Sequence, residues 1–177
     1  MDGAIMFRNI LVSVDGSPHS KRALAEAIDL AVASRARLTI LTAIPKPPGW
    51  ICTPMTACAS EQLAIDYERE STRILEDAVD TVPDEVPVTK ILTHEPIRDA
   101  LLHQAESGCY DLLVMGSRGR GGLTASLLGS VSHHVLNHCK LPVLIVHEHA
   151  ERATAPSASR RTPATASRRG EIAISPS

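Results

Sequence analysis

Short runs of aliphatic residues alternate along the chain with longer segments in which apolar residues recur at helical spacing. The runs occupy 10–14, 38–41, 86–92, 111–115 and 142–146. Between the first two runs, apolar residues from Leu24 to Ala31 recur at offsets of three, four and seven, which is typical of one buried helix face. Strand–helix alternation repeated in this way predicts a doubly wound α/β domain, in which a five-stranded parallel sheet carries helices on both faces.

Helix boundaries are marked by residues that commonly begin helices. Ser17 is placed to cap the first helix, and Pro18 suits the first helical position because its missing N–H is not needed there. A long amphipathic helix is predicted over about 60–79. Pro96 opens the next helix, and the last one is predicted from about Gly129 to Asn137.

The composition narrows the class of protein. Of 177 residues, 44% are hydrophobic but only 2% are aromatic, so the core is expected to be aliphatic, as parallel strands usually are. The net charge of −2 gives no basic field for nucleic acid. No apolar run approaches the roughly 18 residues of a membrane span, and residues 1–7 do not resemble a signal peptide. We therefore expect a cytoplasmic protein without membrane insertion, whose four cysteines are free thiols.

The character of the chain changes after His149. Residues 150–177 are rich in Ala, Ser, Thr, Pro and Arg, and they carry little that could be buried. Such a segment cannot offset the entropy cost of ordering, so a domain over 1–149 and a disordered tail over 150–177 are predicted. The two arginine pairs of the tail leave open a basic arm that contacts an acidic partner or a membrane surface.

The segment 116–132 follows the fourth strand and contains the chemistry of the chain. Its glycines allow close approach of the backbone to a ligand. Gly129 and Ser130 stand at a predicted helix N-terminus, where free N–H groups and the helix dipole favour an anion. Arg118 and Arg120 add positive charge, with Arg118 the better candidate. This combination indicates a phosphate-binding loop.

Two common nucleotide fingerprints do not describe this loop. It has no Gly-Lys-Ser/Thr, so it is not a Walker A loop. A G-x-G occurs at Gly119 and Gly121, but Thr124 stands where a dinucleotide fold has its third glycine. The spacing that is present is Gly116-x2-Gly119-x9-Gly129-Ser130.

This spacing resembles the ATP-binding signature of the universal stress protein family, G-2x-G-9x-G-(S/T). The segment 10–17 looks like the family's opening strand and acidic turn, and 141–146 looks like its closing strand. The resemblance covers about residues 7–147 and points to the UspA-like, ATP-binding subgroup. It implies a Rossmann-like adenine nucleotide-binding fold with sheet order 3-2-1-4-5, in which strands one and four adjoin at the switch point where such sheets bind ligands.

The resemblance also implies a role for each matching residue. Asp15 would lie on the ribose and metal-phosphate side of the pocket. The other implied site residues are Ser13 and Val14 at its floor, Ala43 at the adenine edge, Met115 and Gly116 beneath the ribose, and Gly119, Gly129, Ser130, Val131 and Ser132 around the phosphates, with Arg118 close to them. The implied ligand is ATP, with Mg²⁺ held through its phosphates.

One position departs from the pattern of ATP-binding members. They usually carry a glycine two residues before the proline that opens the third helix, whereas this chain has His94. An imidazole there would either stack on a base or crowd the pocket. The implied function is an ATP-dependent regulator in stress response, a homodimer through Pro142–Val146 that acts on an unidentified protein partner. The alternatives are a dimeric interaction module that binds no ATP or prefers cyclic AMP, and a slow ATPase.

Catalytic and metal-ligating patterns are weak in comparison. No G-x-S-x-G nucleophile elbow is present, and no residue is predicted to activate water, so we expect slow ATP hydrolysis at most. His134 and His138 stand at i, i+4 on a predicted helix, but the glutamate of H-E-x-x-H is missing and zinc needs a third ligand. We predict no catalytic residues and no metal ligands from the protein.

Overall fold

The computed structural model describes residues 7–47, 57–120 and 128–147. Five strands alternate with four helices in this part of the chain. In chain order they are β1 Asn9–Ser13, α1 Pro18–Ser34, β2 Arg37–Ala43, α2 Ala57–Asp80, β3 Val88–Thr93, α3 Ile97–Glu106, β4 Leu112–Gly116, α4 Ser130–His138 and β5 Val143–Val146. The predicted tail, 150–177, lies outside the described residues, as do Cys52 and the side chain of Cys58.

The strands form one parallel sheet in the order β3-β2-β1-β4-β5, which confirms the predicted fold. Ser13 at the end of β1 pairs with Leu41 of β2, and Gly116 at the end of β4 pairs with Val146 of β5. The chain leaves β1 for one side of the sheet and β4 for the other. The carboxyl ends of these two neighbouring strands therefore border a crevice, as expected at a switch point.

Two aliphatic cores, one on each face of the sheet, hold the helices in place. Along β1, Ile10 and Val12 pack towards α1 and α2, whereas Leu11 packs with Leu101 of α3 on the opposite face. All four of these side chains are completely buried. Burial of both faces explains why the strands are continuous aliphatic runs rather than alternating patterns.

The first helix begins as its sequence predicts. Ser17 has an extended backbone, and its hydroxyl oxygen accepts a hydrogen bond from the Ser20 N–H at 3.2 Å. Pro18 occupies the first helical position. The helix ends at Ser34, and Arg35 is its C-cap. The φ of Arg35 is 54°, in the left-handed region, and its N–H donates to carbonyl groups of the last turn. The Ser17 cap fixes where α1 starts relative to the end of β1, and the start of α1 in turn shapes the crevice.

Several boundaries differ from the predicted ones by one or two residues. β1 ends at Ser13, although the Val14 N–H still donates to the Leu41 carbonyl at 2.9 Å. β3 starts at Val88 because Pro87 has no N–H for the ladder, yet the Pro87 carbonyl accepts from Leu38 at 2.9 Å. Pro96 is the N-cap of α3 rather than its first residue. In the described ranges, no helix is both long and apolar enough to cross a membrane.

Candidate functional site

A cavity of about 420 Å³ opens at the carboxyl edge of the sheet, between the ends of β1, β2 and β4. Parallel strands all end at this edge, so the residues that follow each strand converge there. Ten of the predicted site residues line the cavity: Ser13, Val14, Asp15, Ala43, Met115, Gly116, Arg118, Gly119, Val131 and Ser132. Gly129 and Ser130 lie at the start of α4 and are outside this lining.

Asp15 is held by hydrogen bonds from two sides. Its Oδ1 accepts the Ser17 N–H at 3.0 Å, and its Oδ2 accepts the Arg120 N–H at 3.1 Å. The Arg120 side chain also donates through Nε to the Asp15 carbonyl. The carboxylate therefore joins the turn after β1 to the glycine-rich segment after β4.

Two glycines allow close backbone approaches at the end of β4, one to Asp15 and one to α1. A Cβ on Gly119 would stand 2.6 Å from Asp15 Oδ2, so the carboxylate occupies the space that a side chain would need. A Cβ on Gly116 would lie within 2.9 Å of three atoms of His19 in the first turn of α1. Because two of those atoms belong to the backbone, β4 can lie this close to α1 only with glycine at its end.

Backbone donors at the start of α4 are not used by the helix itself. The helix begins after Gly129, which has no side chain to act as a cap, and the N–H groups of Ser130, Val131 and Ser132 come too early in the helix to have an acceptor within it. Free N–H groups at a helix N-terminus favour an anion. The Gly129 N–H itself donates to the Ser117 carbonyl at 2.7 Å, which ties α4 to the end of β4.

The resemblance places Ser132 around the phosphates, but its hydroxyl has a partner within the protein. The side chain is buried, and Oγ donates to the Gly116 carbonyl at 2.9 Å. The hydroxyl therefore anchors α4 to the end of β4. The donor that Ser132 offers to a ligand is its backbone N–H.

Sequence reasoning missed part of the lining. Arg120, a weaker candidate than Arg118 on the sequence alone, lines the cavity and bonds to Asp15. Apolar walls come from the residues after β2 and at the start of α3, and Lys46 adds a cation at the rim; the residues concerned are Ile44, Pro45, Lys46, Pro96 and Ile97. The sequence could have predicted these lining residues from their position, because each follows a strand or precedes a helix at the same edge of the sheet.

His94 does not line the cavity. It lies in the connection between β3 and α3, its side chain is exposed, and the residues of this connection that border the cavity are Pro96 and Ile97. In the described part of the chain, the imidazole therefore does not crowd the cavity.

A second, larger groove of about 1020 Å³ runs between α1 and α2 on one face of the sheet. It shares four lining residues with the cavity, which form the wall between the two spaces: Val14, Arg118, Gly119 and Arg120. On α2, Glu70 pairs with Arg73 at 3.2 Å. The Arg73 hydrogen bond, helped by the nearby charges of Arg73 and Arg120, holds the pKa of Glu70 below its usual range.

Histidine and cysteine side chains form no metal centre in the ranges described. No group of three or more His, Cys, Asp or Glu residues there could hold a metal ion. His134 and His138 stack on α4 with ring centroids 4.3 Å apart. Cys109 and Cys139 are free thiols.

Comparison with known proteins decides the family. The sequence model of the universal stress protein family matches residues 6–147, which is most of the chain. The chain belongs to this family. A universal stress protein of Bacillus subtilis is 35% identical over 150 residues, covering 80% of this chain and 99% of its own. One from Thermus aquaticus is 37% identical over 142 residues, with the same coverage of each chain.

Solved structures of other universal stress proteins show the same fold. A universal stress protein in complex with cyclic AMP is 30% identical, has a TM-score of 0.56, and covers 80% of this chain and 98% of its own. The UspA protein of Lactobacillus plantarum is 20% identical with a TM-score of 0.69, covering 81% of this chain and 99% of its own, and this likeness concerns the fold alone.

Proposed function

We propose that this universal stress protein binds ATP with Mg²⁺ in the cavity at the ends of β1 and β4 and acts as a nucleotide-dependent regulator in stress response. The observation that carries the proposal is the convergence of Asp15, the Arg118–Arg120 segment and the first turn of α4 on one cavity. Backbone donors, guanidinium groups and a carboxylate together provide what a phosphate chain and its metal ion require.

The two ends of the cavity suit the two ends of a nucleotide. Ala43, Ile44, Pro45 and Ile97 provide an apolar region for a base near the ends of β2 and β3. The opposite end has Arg118 and the N–H groups in the first turn of α4, which have no acceptor within the helix. We place adenine at the first end and the phosphates at the second, with Mg²⁺ bound between Asp15 and the phosphates.

The solved relative in complex with cyclic AMP supports adenine nucleotide binding and keeps a second candidate open. At 30% identity it shares the fold and the family with this chain. A protein of this kind that prefers cyclic AMP would use the same apolar region for its base but would need no metal ion. The alternatives of a slow ATPase and of an interaction module without nucleotide are tested by the same experiment.

We further propose a homodimer that forms through β5, in a cytoplasmic protein that acts on an unidentified partner protein. β5 is an outer strand of the sheet, and its Leu144 side chain is 36% exposed. An aliphatic outer strand is a natural site for pairing because its backbone groups and side chains both gain from being covered. Sedimentation of the purified protein with β5 intact and with Leu144→Lys tests this pairing.

Calorimetric titration with ATP and Mg²⁺ tests the proposed function, with cyclic AMP and GTP in parallel. Gly129→Ala is the informative variant because the added Cβ would lie 3.4 Å from Arg118 Cα and 3.9 Å from the Gly119 N, in ordinary contact. The fold should tolerate it, whereas a phosphate between Gly119 and α4 would be crowded.

We expect saturable Mg·ATP binding in the wild type and about a tenfold or greater loss of affinity in Gly129→Ala, a size typical of one displaced phosphate contact. Tighter binding of cyclic AMP than of Mg·ATP would favour the second candidate. Absence of heat and of thermal stabilisation with every nucleotide would refute both. Steady phosphate release from ATP that is lost in Asp15→Ala would identify a slow ATPase.

A further inference from the structure

Two contacts between Asp15 and Arg120 join the segments that line the proposed phosphate end of the cavity, and we call these contacts the clasp. They are the bond from the Arg120 N–H to Asp15 Oδ2 and the bond from Arg120 Nε to the Asp15 carbonyl. We propose that the clasp makes the site selective for metal-charged nucleotides, because only a ligand that brings a cation compensates Asp15 for the bonds it gives up. This inference rests on the proposed nucleotide function and names the charge state of the ligand.

The clasp places a carboxylate where a phosphate oxygen would otherwise bind. The backbone after β4 passes so close to Asp15 that a Cβ on Gly119 would be 2.6 Å from Oδ2. The Arg120 N–H, the next donor along this segment, already has Oδ2 as its acceptor at 3.1 Å. A phosphate that accepts from the Arg120 N–H must displace the Asp15 carboxylate. The phosphate and the carboxylate also repel each other when both lie beside this N–H.

Arg120 contacts Asp15 through both its backbone N–H and its side chain. Its Nε donates to the Asp15 carbonyl, and its terminal nitrogen lies near Gly16. The guanidinium therefore lies over the turn after β1 and keeps the Arg120 N–H directed at the carboxylate. Asp15 is fixed in turn by the Ser17 N–H at 3.0 Å.

A divalent cation would favour phosphate over the Asp15 carboxylate as the acceptor for the Arg120 N–H. A carboxylate that leaves the Arg120 N–H can bind Mg²⁺, which is carried by the phosphates and prefers oxygen ligands. The released N–H can then donate to phosphate. A metal-free nucleotide brings no cation, so the Asp15 carboxylate would lose the Arg120 N–H without gaining a new partner. Mg·ATP should consequently open the clasp, whereas metal-free ATP and cyclic AMP should bind against it.

Two substitutions at Asp15 separate this selectivity from a simple loss of a metal ligand. In Asp15→Asn, the side-chain oxygen can still accept from Ser17 while the amide group meets the Arg120 N–H donor to donor, so the clasp opens. Asp15→Ala removes the carboxylate without adding a donor. If Asp15 only bound the metal, both variants would weaken Mg·ATP, and metal-free ligands would gain only from the lost charge repulsion while the Arg120 amide exchanged as in wild type. Loss of the clasp should instead strengthen metal-free binding and speed exchange of the Arg120 amide together.

Asp111→Asn is the matched control. Asp111 Oδ2 accepts the N–H groups of Arg8 and Asn9 at 2.7 and 2.9 Å, so it too is a carboxylate bonded to backbone donors. It lies at the opposite end of β1 and β4 and does not line the cavity. Its substitution should alter stability without altering nucleotide selectivity.

The experiment measures dissociation constants of the full chain for Mg·ATP, for ATP with EDTA and for cyclic AMP. We expect both Asp15 variants to bind the two metal-free ligands about tenfold tighter or more, a coupling of ordinary size, and to lose preference for Mg·ATP. Amide hydrogen exchange of Arg120 in the free protein should be faster in both variants and unchanged in Asp111→Asn.

Metal-free affinity that stays unchanged or falls in both variants would overturn the inference while leaving the proposed function intact, provided that wild-type protein binds Mg·ATP. An Arg120 amide that exchanges equally fast in wild type and variants would also overturn it. If no nucleotide binds to wild type or variants, the proposed function itself fails.

Discussion

Replacing Gly116 by alanine should destabilise the fold at the boundary between β4 and α1. The new Cβ would stand 2.8 to 2.9 Å from three atoms of His19: the carbonyl carbon, the carbonyl oxygen and Cβ. A rotamer change cannot relieve this overlap, because all three atoms move only with the backbone of α1. Inserting a methyl group into a packed site costs about 1–3 kcal/mol, and we expect a value near 3 kcal/mol here.

Two other glycines separate this steric cost from conformational effects. Gly108 has no atom within 4 Å of its would-be Cβ, but its φ is 70°, so alanine there should cost about 1 kcal/mol from the left-handed backbone alone. Gly129 has a φ of −72° and contacts no closer than 3.4 Å, so alanine should change stability by less than about 0.5 kcal/mol. The expected order of destabilisation is Gly116, then Gly108, then Gly129.

Urea unfolding followed by circular dichroism measures all three variants against wild type, and thermal unfolding gives an independent value. A loss of 3 kcal/mol corresponds to a fall in Tm of about 6–12 °C for a chain of this size. If Gly116→Ala were within 0.5 kcal/mol of wild type, β4 and α1 would not be as close as the structure has them. The explanation for that glycine would then be wrong.

Two further effects follow from local contacts. Ser17→Ala removes the acceptor for the Ser20 N–H and should cost about 1 kcal/mol in urea unfolding, and an unchanged midpoint would mean that Ser17 does not cap α1. Arg73→Ala should raise the pKa of Glu70 in an NMR titration, because the Arg73 hydrogen bond is the main cause of its lowering. A lowered carboxylate pKa stabilises the fold above the unfolded pKa, and the effect is lost as pH falls through the folded pKa. Both side chains are exposed, so the stability effect should be small and weakened by salt, and an unshifted Glu70 would contradict the pairing.

The layered fold could be predicted from the sequence because burial on both faces imposes a pattern on each strand. The aliphatic runs around Ile10 and Leu113 are long enough to identify strands, and the helical periods between them require crossovers. The order of the strands came from the family resemblance, since a strand's own residues do not specify its neighbour. The start of β3 depended on the missing N–H of Pro87, which the apolar periodicity does not report.

The candidate site was predictable where it depends on strand ends and less so where it depends on side-chain direction. Asp15 and Gly116 follow β1 and β4, so topology alone brings them together. The importance of Arg120 was missed because the backbone path after Gly119 decides which arginine meets Asp15. The place of His94 in the sequence indicates a position at the pocket, whereas the turn after β3 leaves its side chain exposed.

The two outer strands of the sheet differ in a way that limits polymerisation. Lys90 is exposed on β3, and a lysine on an outer strand resists the addition of another sheet because its charge would have to lose water. Both outer strands expose one aliphatic side chain, Val88 at 38% on β3 and Leu144 at 36% on β5, but β5 carries no charged residue. Fibre growth by strand addition needs two adhesive edges on every molecule, so that each newcomer presents the next site. A molecule with one adhesive edge is saturated after a single pairing, so pairing through β5 as proposed would stop at two molecules rather than continue into filaments.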